Sequence, residues 1–372
     1  MFRKIPIPTA GVMLGLAALG NLLAPYSLFL KYVCGIGAAF LGVLLFAKII
    51  MHPGVMKNDL NGNSIFASVF ATFFMSVMQL CTYTAPYAPA VSEVVWYGAI
   101  LCHFLLMVWF TYRYILNFKL HEVFPTYFIA YVGVVVASVT APVFGHHQLG
   151  EMIFWFGFMA YMVIFALVTA RYCSRHAVAE PAKPLFCIYT APMSLSLAGY
   201  LACAEEKSFL LVVIMEVLAQ GLFVMVLMQM PKLLRLCFYP SYAAFTFPFV
   251  ITAIALRQTL AYLGGHAGRG AGIPPRSAPG GDSAGNGDRG VCLCAVYDFP
   301  PGTDDARGIG KGKGDRRPQR LIERQSGPEV SGLFCCAKTG RWPAAGRSCP
   351  CAGGNRHTKK AALGRAASSG LG

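Results

Sequence analysis

Apolar positions in this chain come in long blocks, without the alternation of strands or the spacing of amphipathic helices. Nine mostly apolar runs, roughly 6–23, 27–50, 64–85, 92–116, 124–145, 149–171, 184–203, 208–230 and 239–263, are separated by short polar stretches. At 1.5 Å rise per residue each can cross a hydrocarbon layer about 30 Å thick. With 56% hydrophobic and 13% charged residues, the pattern predicts an all-α integral membrane protein. Arg3 and Lys4 before the first run imitate a signal peptide, but Pro6 and Pro8 open that run and eight more follow. It reads as a retained first helix.

Charge orients the spans. Arg3, Lys4, Lys57, Lys119, Arg175, Lys183, Lys232 and Arg235 lie beyond alternate ends, and Lys48, Arg113 and Arg171 lie just inside the same boundaries. The other side offers Lys31 and Lys207 with Glu93, Glu151, Glu205 and Glu206. Basic loops stay inside, so the N-terminus is expected in the cytoplasm and the protein in the plasma membrane.

Odd and even spans differ in kind. The prolines within spans, Pro6, Pro8, Pro125, Pro142, Pro184, Pro192, Pro240 and Pro248, all fall in odd ones. Proline removes a backbone donor and kinks a helix, which a membrane tolerates where helices pack together or line a water-filled cavity. Apart from Arg257, the odd spans carry almost no charge. The expected architecture is an inner ring of kinked odd helices around a pore, braced by an outer ring of straight even helices. Pro184 to Pro192 and Pro240 to Pro248 share an eight-residue separation, and Pro125 to Gly133 matches it with glycine in second place. A two-helix hairpin used in series explains this repeat.

These residues resemble a known family. Ile5-Pro-Ile-Pro-Thr-Ala-Gly with Gly15, Phe124-Pro-Thr-Tyr-Phe128, Val136-Ala-Ser-Val-Thr-Ala-Pro142, Ala191-Pro-Met-Ser-Leu-Ser-Leu-Ala-Gly-Tyr200, Pro231-Lys-Leu-Leu234 and Phe238-Tyr-Pro-Ser-Tyr-Ala-Ala-Phe-Thr-Phe-Pro-Phe249 occur in order over residues 1–262. They are similar to the tellurite-resistance and C4-dicarboxylate transporter family, also called the voltage-dependent slow anion channel and malic acid transport family. The resemblance implies ten helices in five hairpins, odd helices around the pore, a small-anion substrate such as malate, and a homotrimer. It also implies a phenylalanine gate on the ninth helix, which here falls on Phe247 before Pro248. Gly15, Gly133, Pro142, Pro192 and Pro248 are the expected pore-lining or kink positions.

No acid–base–nucleophile constellation or phosphate-binding glycine loop stands out, so permeation is expected rather than bond-making. Neither a cofactor nor a metal site is expected. Cys34, Cys81, Cys102, Cys173, Cys187, Cys203 and Cys237 are scattered singly and read as small buried hydrophobes. His146 and His147 read as a solvated pair in an external loop, and His103 as a packed or hydrogen-bonded histidine. Glu216 is an intramembrane carboxylate, a type often functional, but it lies on an expected outer helix. An uncharged lining can still hold an anion weakly, through broken helices that aim N–H groups into the cavity.

Composition changes at about residue 264. Residues 1–264 hold all fifteen methionines, whereas 265–372 hold none, with twenty-three of the thirty-nine glycines and seventeen of the thirty-one Lys and Arg. A basic segment binding nucleic acid or anionic lipid is one reading. A metal site from Cys292, Cys294, Cys335, Cys336, Cys349 and Cys351 is another, but its spacings differ from common zinc patterns. The favoured reading is a frameshift near 264–268 that removes a tenth helix. Read one base later, the codons for 281–302 are compatible with an apolar helix. The transporter is therefore expected in 1–264, with 265–372 a disordered tail that has no nucleic-acid role.

Overall fold

A computed structural model describes residue 3 and residues 5–117, 119–174 and 178–270. The expected tail lies outside the described residues from 271 onward. Nine spans are present among the described residues: α1 (Thr9–Leu23), α2 (Leu28–Met51), α3 (Ser64–Thr84), α4 (Pro89–Ile115), α5 (Tyr127–Phe144), α6 (His147–Cys173), α7 (Glu180–Cys203), α8 (Phe209–Leu233) and α9 (Pro240–Gly265). The last helix runs on to Gly270, past the compositional break. Eight spans are long and apolar enough to cross a membrane. The first helix has 15 residues, shorter than the apolar run, because Pro6 and Pro8 keep its opening residues out of the helical ladder.

Each odd helix packs on the next, α1 on α3, α3 on α5, α5 on α7 and α7 on α9, and α9 returns to α1. The odd helices therefore form a closed ring. From outside, α2 covers α1, α4 covers α3, α6 covers α5 and α7, and α8 covers α7. Burial follows the ring. The shares buried are 67%, 67% and 83% for α3, α5 and α7, against 28%, 28%, 28% and 22% for α2, α4, α6 and α8. With 39% buried, α9 is the exception, its outer face exposing Leu256 and Leu260. Apolar side chains exposed all along the even helices belong in lipid, where they cost nothing.

The even helices start and stop for local reasons. Ser27 and Ser208 cap α2 and α8, accepting from the amides of Leu30 and Leu211. At its far end α4 loosens into a π turn, Thr111–Ile115, where the Thr111 hydroxyl donates to Met107 O. The expectation that even spans lack proline needs correcting at their ends. Pro89 opens α4 and Pro231 sits in the last turn of α8, since both helices reach beyond the apolar runs. Proline is tolerated in a first turn, where its missing donor has no helical partner anyway.

Candidate permeation site

Four odd helices change geometry part-way along. In α7 a 3-10 segment, Glu180–Thr190, gives way to an α-helix from Ala191, with Pro192 in its first turn. In α9 a 3-10 turn, Pro240–Phe245, ends at Thr246, whose φ of −84° and ψ of −84° leave the helical region, and the α-helix restarts at Phe247 with Pro248 behind it. Two breaks occur without proline. The α5 helix tightens to 3-10 geometry at Gly133–Val135. The α3 helix turns at Phe70, where Ser68, Thr72 and Ser76 hydroxyls donate to carbonyls three or four residues back. Such back-bonding bends helices.

At these breaks lies a cavity of about 360 Å³ to which all five odd-helix segments contribute. Its walls include Pro8 and Gly11 on the α1 side, Val69, Thr72 and Met75 of α3, Phe128 and Gly133 of α5, Ile188 and Pro192 of α7, and Phe247 with Pro248 of α9. The lining comes from the N-terminal portions of the odd helices, so the cavity belongs to that side of the bundle. No lining residue is charged, and Asn63, Thr72, Tyr239 and Ser241 are its polar side chains.

Phe247 is buried at this wall, 6% exposed. Its backbone position is fixed by α1. The Thr246 hydroxyl reaches Gly11 O at 3.0 Å and Ala243 O at 2.7 Å. A Cβ on Gly15 would stand 2.7 Å from Thr246 Cβ and 3.1 Å from the Phe247 amide nitrogen, so only glycine lets α1 come this close. On the other flank, the Ser194 and Thr252 hydroxyls meet at 3.1 Å and tie α7 to α9.

Of the expected pore positions, Gly133, Pro192, Phe247 and Pro248 line the cavity. Gly15 does not; it stands behind Phe247 as the seat for the α9 break. Pro142 lies in the 3-10 turn Ala141–Phe144 at the far end of α5 and is not part of this wall. Gly133 leaves room for His103, whose Cε1 would be 3.1 Å from a Cβ there, and for the Met75 thioether at 2.6 Å. His103 is fully buried, with Nε2 3.1 Å from Ala130 O, a carbonyl at the α5 break.

Other candidates lie elsewhere. His146 is not a solvated loop residue: Nε2 meets Glu93 Oε1 at 2.7 Å and its ring stacks on Trp96. The Glu216 carboxylate accepts from Gln220 at 2.7 Å and from Thr259 at 3.2 Å, joining α8 to α9 away from the cavity lining. Arg257 donates to Leu22 O of α1 at 2.8 Å. The seven described cysteines form no disulfide among themselves. Cys102 and Cys173 are exposed rather than buried, since they stand on the outer faces of α4 and α6. No cluster among the described residues could hold a metal ion.

Sequence reasoning missed Thr246 and Gly11 at the α1–α9 contact, and the aromatic wall of Phe66, Phe124 and Phe128. A helical stripe was available for α3, where Ile65, Val69, Thr72 and Met75 recur at spacings of three and four. Nothing in the local sequence marks the Thr246–Gly11 pairing, which joins residues 235 apart.

Residues 4–273 match the voltage-dependent anion channel family. The chain belongs to that family. A search of curated proteins gives no match. Membership makes the chain a multi-pass membrane protein that moves anions rather than an enzyme, and the all-helical bundle is consistent with that family.

Proposed function

We propose that small anions pass along the axis of the odd-helix ring, with the apolar cavity as a vestibule and Phe247 as the gate at its inner end. The supporting observation is one cavity walled by all five odd-helix segments, with Phe247 and Pro248 in its wall at the α9 break. The excess of basic residues near the N-terminal ends of the odd helices favours a cytoplasmic N-terminus in the plasma membrane, which would open the vestibule to the cytoplasm. A trimeric assembly, implied by the family resemblance, is testable by cross-linking in native membrane.

The lining argues about substrate through its lack of charge. An anion entering loses hydration and gains backbone dipoles, with no fixed cation on the wall. Born desolvation rises with the square of the charge, so a monoanion enters far more readily than a dianion. Chloride, nitrate and small carboxylates suit this wall, and a C4-dicarboxylate of the malate type would enter in its singly protonated form. Dicarboxylate flux should therefore rise as pH falls toward the carboxylate range near about 4, while chloride flux lacks that component. Protonating one carboxylate increases the permeant species, which sets the sign.

The deciding experiment is flux of labelled chloride and malate into liposomes containing the purified chain. Flux of either above empty liposomes is expected. No small-anion flux in correctly folded protein would leave a membrane sensor or anchor as the better reading. Malate flux that stays level or falls with acidification would remove the monoanion argument alone.

A further inference from the structure

We infer that the Thr246 hydroxyl is a latch between α1 and α9 that holds Phe247 across the end of the cavity. This rests on the gate reading above. Thr246 lies between a 3-10 turn and an α-helix, with backbone angles belonging to neither. Its hydroxyl has one proton and two acceptors in range, Ala243 O in its own turn at 2.7 Å and Gly11 O across the interface at 3.0 Å. The backbone amide of Thr246 already closes the turn on Ala243 O at 3.2 Å, and the hydroxyl proton, shared between the two carbonyls, adds a tie to α1. Phe247 is the next residue, so a shift of Thr246 relative to α1 carries the ring with it.

The surroundings make the latch a two-sided device. The Pro248 ring leaves no amide hydrogen to bond back across the break, and Val250 N reaches Thr246 O only at 3.4 Å, so the helix start is loosely tied to the turn before it. Gly15 removes any side chain between α1 and the break. One side chain thus supplies a polar tie where the backbone supplies little. Thr246 does not line the cavity. It is a positioning residue acting through Phe247.

The test is anion flux in liposomes for Thr246→Val, Thr246→Ser, Phe247→Ala and the double variant Thr246→Val/Phe247→Ala, each checked for a cooperative unfolding transition and wild-type elution. Valine keeps the branched shape and loses the donor. Releasing one hydrogen bond that favours the closed state should raise flux about two- to tenfold. Serine restores the donor and should return flux to within about twofold of wild type. With the ring gone the latch has nothing to hold, so the double variant should match Phe247→Ala.

Unchanged flux in folded Thr246→Val, with flux raised in Phe247→Ala, overturns the latch and spares the gate. Unchanged flux in Phe247→Ala overturns the gate and the latch with it. A full further increase in the double variant shows that Thr246 acts independently of the ring, which also overturns the latch. Should Thr246→Val fail to fold, Gly15→Ala reports on the same contact with the hydroxyl intact. Its methyl drives α1 and the break apart, so flux should rise, and no rise in folded protein rejects the proposal.

Discussion

Phe247 owes its place to residues that look ordinary in sequence. Its ring is buried at a wall built from five helices, and its backbone is set by Pro248 behind it, Thr246 before it and the bare face of Gly15 opposite. Removing the ring tests whether it blocks the path. If opening takes a buried aromatic from its seat, at roughly 1.5–3 kcal/mol, Phe247→Ala should raise anion flux by about ten- to a hundredfold. Stopped-flow halide quenching in liposomes measures this, and unchanged or lower flux in folded protein removes Phe247 from the gate. Gly15→Ala should also lower thermal stability, by about 1–3 kcal/mol as overpacking does, because the atoms it meets include the Phe247 amide nitrogen and the Thr246 β-carbon rather than a flexible chain end. Unfolding in detergent, followed by tryptophan fluorescence, gives that number. Proline and family pattern made the place of Phe247, beside the α9 break, legible in the sequence. Thr246 was not, since a threonine in an apolar run shows neither its partner nor its backbone angles.

Between the elements, proline placement predicts much of the architecture and fails in an instructive way. The breaks in α7 and α9 fall beside Pro192 and Pro248, as the sequence implies. In α3 and α5 the breaks have other causes. Hydroxyls of Ser68, Thr72 and Ser76 compete for backbone carbonyls in α3, and the tightened turn at Gly133 in α5 leaves Ala130 O within reach of His103 on α4. A histidine on an outer helix supporting a carbonyl of an inner one is a tertiary event, which no periodicity encodes. Replacing His103 by Ala should leave a buried carbonyl without its partner and a hole beside Gly133. We expect a loss of about 2–4 kcal/mol in stability, read from the same unfolding assay. His103→Gln, which keeps an N–H donor of similar reach, should recover part of it. A His103→Ala protein as stable as wild type would mean that the α5 break stands without this support. The His146–Glu93 contact likewise escaped the sequence reading, because the two residues are 53 apart and the stacking on Trp96 exists only in the fold.

On the scale of the whole molecule, the ring closes but its cover does not. Four even helices shield α1, α3, α5 and α7, and α8 reaches one side of α9, but α9 keeps Leu256 and Leu260 on an uncovered apolar face, and no further described span lies over that face. Residues 271–372 lie outside the described structure, so this face bears on their origin only through what a tenth helix would need to cover. We propose that 265–372 is a frameshifted segment of the gene. A one-base change relative to close relatives should lie around codons 264 to 268, and restoring the frame should encode an apolar helix followed by a stop. That claim rests on the loss of methionine, the gain of glycine and charge, and the out-of-frame compatibility of 281–302. Protein made from the restored gene should also bury the α9 face. Leu260→Ala should therefore cost little in the present chain, where lipid fills the space left behind, and about 2–4 kcal/mol in the restored one, where the truncation leaves a cavity between packed helices. Equal costs in both would show that the restored helix does not cover α9. Relatives carrying the same Gly- and Arg-rich segment in frame would overturn the frameshift itself, and the segment would then have to be tested for a role of its own, beginning with binding to an acidic partner.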